Sequence, residues 1–175
     1  MIEIFDKSFI PYIKEEDIIT RVKELGEQLD TDYADKNPLM ISVLNGAFIF
    51  SADLIRSMKI PTEITFIRVA SYEELQSTGK VKEVLGLKEN VFNRDIILVE
   101  DIVDTGETLE HLLKMFETLG PKSISVVSLL HKPAAQIKSK KPDYVGFEIP
   151  PKFVLGYGLD YNGLGRELRD LYQLA

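Results

Sequence analysis

Carboxylates, hydroxyls and a glycine crowd the segment DIILVEDIVDTGETL, residues 95–109. Adjacent Glu100 and Asp101 can hold sugar hydroxyls or a metal and its waters. Asp104, Thr105, Gly106, Glu107 and Thr108 then make a polar turn. If that turn opens a helix, its backbone N–H groups and the helix dipole form a cradle for an anion. Together the two parts suit a ligand carrying phosphate as well as hydroxyls or a metal. The plainer alternative is a strand-to-helix turn with Asp104 or Thr105 as N-cap.

The flanking pattern supplies the elements such a site needs. Ile96 to Val99 reads as a buried strand that ends at Glu100 and Asp101, where open α/β sheets place their ligands. Leu109, Leu112, Leu113, Phe116 and Leu119 follow at helical spacing until Gly120-Pro121. Upstream, Ile18, Val22, Leu25 and Leu29 predict an amphipathic helix from Lys14 to about Leu29. Pro38–Leu44 predicts a strand, Asn45-Gly46 a sharp turn, and Ala47–Met58 a helix. Strands are expected at Glu63–Ala70, Ser123–Leu130, Tyr144–Phe147 and Phe153–Tyr157. Residues 71–93 are mixed and polar, a connection of a length usually functional or disordered. Strands alternating with helices predict an α/β fold with a mostly parallel twisted sheet flanked by helices.

The chain has 175 residues, enough for one domain with a substantial core, and net charge −7. That acidity argues against a general nucleic-acid binder. No apolar run approaches the roughly 20 residues of a membrane span. The charged N-terminal stretch does not look like a signal peptide. Cysteine is absent, which excludes disulfides and thiolate metal sites and is compatible with the cytoplasm.

Glu100 to Thr108 closely resembles the phosphoribosyl-diphosphate (PRPP) motif of the purine phosphoribosyltransferases, type I. The resemblance implies that Glu100 and Asp101 hold ribose hydroxyls and that Asp104–Thr108 wraps the 5′-phosphate. Four other segments fit the hypoxanthine/guanine branch in order and spacing. Leu44-Asn45-Gly46-Ala47 resembles the pyrophosphate loop. Ser71-Tyr72, with Ser77-Thr78-Gly79, resembles a mobile lid of about 71–84. Leu129–Pro133 resembles the loop whose lysine, here Lys132, reads the purine 6-oxo group. Lys152–Tyr161 with Arg166 resembles the purine-stacking strand followed by the metal and pyrophosphate residues. Two departures stand out: Asn45 occupies a position where many members carry lysine, and Gly163-Leu164-Gly165 replaces bulkier residues before Arg166.

The resemblance implies the type I fold with a small hood formed from the terminal segments. It implies transfer of phosphoribose from PRPP to N9 of hypoxanthine or guanine, with Mg²⁺. Asp104 becomes the acid/base at N7, and Ile102, Lys132, Phe153, Val154 and Asp160 the purine site. Asn45, Gly46 and Arg166 meet pyrophosphate, and Asp160, Glu100 and Asp101 serve the metal. A homodimer or homotetramer is expected. His131, with no triad or zinc partner beside it, reads as a bystander. A xanthine-preferring relative is the nearest alternative, and a phosphoribosyltransferase-like RNA-binding regulator a more distant one, for want of basic residues. A haloacid-dehalogenase-type phosphatase needs carboxylates one residue apart, whereas Asp101 and Asp104 are three apart.

Overall fold

The computed structural model describes residues 1–69 and 87–175. The chain begins with β1 (Ile2–Ile4), β2 (Lys7–Ile13) and α1 (Glu15–Asp32). Next come β3 (Leu39–Leu44), α2 (Phe48–Ser57) and β4 (Glu63–Arg68). After the undescribed stretch lie β5 (Asp95–Val103), α3 (Glu107–Glu117), β6 (Ser123–His131) and β7 (Tyr144–Glu148). Short strands β8 (Val154–Leu155) and β9 (Leu171–Leu174) complete it.

One sheet is parallel, in the order β4-β3-β5-β6-β7. Its strands alternate between two cores, as the two-residue period of a strand requires. Met40, Ile97, Val99 and Val127 pack with Ile18, Val22, Leu25, Phe50 and Leu54 of α1 and α2. Leu39, Ile41, Ile96, Leu98 and Val126 pack with Leu109, Leu112 and Phe116 of α3. The helices that leave neighbouring strands β3 and β5 therefore cover opposite faces. Between them, at the carboxyl ends of those strands, opens the crevice that doubly wound sheets use for ligands.

A second sheet, antiparallel and ordered β1-β2-β9-β8, is built from the two terminal segments and forms the hood. It also caps α1, because the Asp170 carboxylate accepts hydrogen bonds from the Glu15 N–H at 2.8 Å and from Lys14 Nζ at 3.0 Å.

The structure revises several boundaries. Strand β5 continues through Val103, so Glu100 and Asp101 lie within it rather than after it. The strand expected over Phe153–Tyr157 shrinks to Val154–Leu155 because Gly156 turns to φ 103° and Tyr157 to φ 47°, outside extended geometry. Neither Asp104 nor Thr105 is the N-cap of α3. Gly106 holds that place at φ 84°, a conformation glycine reaches without steric penalty; it offers no side chain as a cap, and only the Glu107 N–H meets one, the Thr105 hydroxyl at 3.4 Å. No described helix is long and apolar enough to cross a membrane.

Candidate active site

A cavity of about 870 Å³ lies over the carboxyl ends of β3 and β5. Asn45, Gly46, Glu100, Asp101, Ile102, Asp104–Thr108, Asp160 and Arg166 line it, so segments distant in sequence meet in one place. Lys132, Phe153 and Val154 are not part of that wall. Lys132 reaches it through Asp104, its Nζ 2.6 Å from the Asp104 carboxylate. Ser71 and Tyr72 fall outside the described residues.

The fit between the three loops is close enough to dictate glycine. A Cβ on Gly46 would collide with the Asp101 carboxylate, and one on Gly158 with the carbonyl of Gly46. The pyrophosphate-like turn, the acidic strand end and the hood thus touch through bare backbone. The Leu44–Asn45 peptide in that turn is cis.

Glu100 is 5% exposed, and its Oε1 meets no hydrogen-bond partner. Burial, followed by the neighbouring Asp101 charge, pushes its carboxyl well above the usual range. Asp101 is pushed up to about 6, again chiefly by burial and partly offset by the Ile102 N–H, which donates to it at 2.8 Å. Among the described residues no cation is ion-paired with either carboxylate, although the charge of Arg166 also draws Asp101 down. Asp160, by contrast, accepts from Arg166 at 2.6 Å and from the Gly163 N–H at 2.7 Å. Arg166 also donates to the Gly158 carbonyl at 2.7 Å. Gly163 and Gly165, with φ of 87° and 98°, allow the turn that brings arginine and aspartate together. The glycines that depart from the family pattern before Arg166 thus fix its place beside Asp160.

The turn after β5 has the form of an anion cradle. Among the described residues, the N–H groups of Thr105, Gly106 and Thr108 donate to no protein acceptor, as expected at a helix start lacking a side-chain cap. The carbonyl of Thr105 faces the other way and accepts from the N–H groups of Ile137 at 3.1 Å and Lys138 at 3.2 Å. His111, Lys114 and Lys138 also reach the cavity wall. His111 and Lys114 share one face of α3 three residues apart, a weak signal that only the strand–turn–helix geometry makes meaningful.

Lys132 is 8% exposed, buried and not a solvated surface lysine. Phe153 is 41% exposed and precedes its strand, so it is no core aromatic. Its ring centroid lies 5.7 Å from that of Tyr161, and Lys7 sits 5.7 Å over the ring. His131 is 2% exposed, with Nε2 2.6 Å from the side-chain oxygen of Gln136. Sequence gave no hint of that pair, since glutamine carries no motif.

A parallel sheet with an acid pair, an anion-binding turn and a separate hood is the plan of a phosphoribosyl-binding protein. Residues 12–162 match the phosphoribosyl transferase domain family, and the chain belongs to that family. The chain is 47% identical over 150 residues to a hypoxanthine-guanine phosphoribosyltransferase of Bacillus subtilis, covering 85% of this chain and 83% of that one. A Lactococcus lactis protein of the same name is 45% identical over 157 residues, covering 89% and 85%. Among solved structures, a Bacillus anthracis hypoxanthine-guanine phosphoribosyltransferase aligns with TM-score 0.89 at 36% identity, over 97% of this chain and 100% of that one. A Trypanosoma cruzi hypoxanthine phosphoribosyltransferase mutant complexed with its product IMP aligns with TM-score 0.88 at 37% identity, over 100% and 94%.

Proposed function

We propose that this chain transfers the phosphoribosyl group of PRPP to N9 of hypoxanthine or guanine, yielding IMP or GMP and pyrophosphate in purine salvage. The observation that carries this reading is the Asp104–Lys132 pair beside the anion cradle. A 6-oxopurine presents O6 and N7 side by side on one edge. An ammonium 2.6 Å from a carboxylate offers a donor for O6 next to an acceptor for an N7 proton. Adenine, with an amino group at C6, leaves Lys132 without an acceptor.

The remaining residues follow from the ligand's shape. The amides of Thr105, Gly106 and Thr108 grip the 5′-phosphate, with Glu107 opening the helix behind them. Glu100 and Asp101 accept the ribose hydroxyls. Ile102 and Val154 bound the purine, and Phe153 stacks on it. Arg166 meets the pyrophosphate, joined by the backbone of Asn45 and Gly46 because Asn45 brings no cation.

Bond breaking at C1′ builds oxocarbenium character, as in glycoside hydrolysis. The buried acid pair then stands near positive charge it can stabilise. Asp104 takes the N7 proton as N9 bonds to C1′ and passes it to water, the reverse reaction returning it.

The donor set suits a hard cation: every group is an oxygen, and the Glu100 Oε1 is buried without a partner. Among the described residues, no cluster of three or more histidines and acids could hold a metal ion. That fits Mg²⁺, which uses few protein carboxylates and relies on substrate oxygens and water. Asp160 would be its direct ligand, with Glu100 and Asp101 on its waters, and it would supply charge neutralisation for the departing pyrophosphate.

The lid expected at about 71–84, carrying Ser71 and Tyr72, would exclude water on closure. The protein would work in the cytoplasm as a homodimer or homotetramer, which light scattering would size. The deciding experiment is a purine panel with PRPP and Mg²⁺. Efficient turnover of hypoxanthine and guanine is expected, and preferred turnover of adenine would refute the assignment.

A further inference from the structure

We infer that His131 and Gln136 are positioning residues for the phosphate loop, a pair that sets the grip on the 5′-phosphate without touching it. The inference rests on the phosphoribosyl reading of the site. His131 is the last residue of β6 and stands opposite Val103, the residue before Asp104. Its Nε2 lies 2.6 Å from the Gln136 side-chain oxygen. The Gln136 side-chain nitrogen donates to the carbonyls of Lys138 at 2.8 Å and Lys140 at 2.6 Å. Those two bonds fix the orientation of the amide. With its nitrogen committed to carbonyls, its oxygen must accept, so the His131 Nε2 carries the proton.

One buried donor therefore orders one glutamine, and the glutamine folds residues 136–140 into a compact turn. That turn carries the two N–H groups, of Ile137 and Lys138, that hold the Thr105 carbonyl. It also presses on the next residue. A Cβ on Gly106 would stand 3.1 Å from the Lys138 Cβ and 3.6 Å from the Gln136 Cγ. The peptide between Thr105 and Gly106 is thus clamped through its carbonyl, which aims its N–H into the cradle. Orientation of this kind, imposed from behind the binding groups, is what an anion site of backbone amides needs most, since such amides have no side-chain freedom to compensate.

The chain runs His131 to Gln136, Gln136 to the 136–140 turn, and the turn to Thr105. It bypasses the pyrophosphate end of the cavity, where Asn45, Gly46 and Arg166 sit. The two ends can therefore be titrated separately, using ribose 5-phosphate for the cradle and inorganic pyrophosphate for the opposite end.

Calorimetric titration of Gln136→Ala, which loses all three side-chain hydrogen bonds of the turn, and of His131→Ala, which loses one, should show ribose 5-phosphate bound about tenfold more weakly. Pyrophosphate binding should match wild type. In turnover, the KM for PRPP should rise while kcat stays within a few-fold. His131→Gln, which keeps a donor near the Nε2 position, should restore most of the loss. Gln136→Glu, which keeps the acceptor and the size but loses both donors, should reproduce the alanine defect even if an alanine variant fails to fold. Unchanged ribose 5-phosphate binding in the folded variants would overturn the inference, as would equal weakening of both probes. A wild-type protein that binds neither probe would overturn the phosphoribosyl reading and this inference with it.

Discussion

Two acidic positions four residues apart on the same strand end are treated in opposite ways. Asp104 has its cation built in: the buried Lys132 lies 2.6 Å from its half-exposed carboxylate. Among the described residues Glu100 and Asp101 have none at that range, and both carboxyls are pushed upward by burial. On the proposed phosphoribosyl reading, the difference teaches what each place is for. Where proton and hydrogen-bond traffic with a neutral base is to be managed, the protein supplies a complete donor–acceptor couple. Where charge and hydroxyls arrive with the ligand, it keeps the site uncompensated and bears the instability until they come.

Removing the paired carboxylate should give the largest effect. Asp104→Asn should lower kcat by roughly 10²–10⁴-fold, the range of a positioned acid/base. Ribose 5-phosphate binding should be nearly intact, because the amides of the cradle survive. A kcat within a few-fold of wild type would leave Asp104 without a chemical role. Lys132→Ala should come next. Sites that demand a hydrogen bond discriminate by up to about 10⁴-fold, so this variant should lose much of its preference for hypoxanthine over adenine. PRPP affinity should be largely retained, and an unaltered preference would show that selectivity lies elsewhere.

The unpaired side of the comparison predicts a gain in stability. A raised carboxyl in the folded state means that the native protein binds more protons than the unfolded chain between the two pKa values. For Asp101 that window runs from the ordinary 3.8 to about 6. Stability from this source is therefore full below the window and falls as pH rises through it. Glu100→Gln with Asp101→Asn should flatten that decline and raise the melting temperature at neutral pH by a few degrees, while impairing PRPP binding. A steeper decline in the double variant would reverse the sign of the whole comparison. The smallest effect should come from Arg169→Ala. Its contact with Glu15 at 2.9 Å is an exposed surface pair, and such pairs contribute about 0–1 kcal/mol. A melting shift of many degrees would mean that the hood depends on that pair.

The parallel half of the fold was legible because its information is local. Uninterrupted apolar runs gave β3, β5 and β6, helical spacing gave α1 to α3, and the acid–turn–helix order gave the candidate site. The hood is different. Its presence was implied by family resemblance, yet periodicity could not delimit β1, β2 or β9, whose partners lie at the far end of the chain and which include Pro11 and a register shift between Pro11 and Ile13. Capping chemistry also misled, since Asp104 is a good cap by type but is drawn away by Lys132. The His131–Gln136 pair was unreadable because its meaning rests entirely on which backbone groups the glutamine meets.

The pairing of β2 with β9 also orders events during synthesis. Phe9 is synthesised well before its partner Leu174, with every strand of the parallel sheet encoded between them. Every strand of the parallel sheet has emerged by then and can pair with neighbours of modest separation. The β1–β2 hairpin must wait for β9 with one edge bare, the kind of exposure that invites mispairing between nascent chains. The hood strands made before the parallel sheet thus gain their neighbour after it, and the roof of the site closes later than its floor.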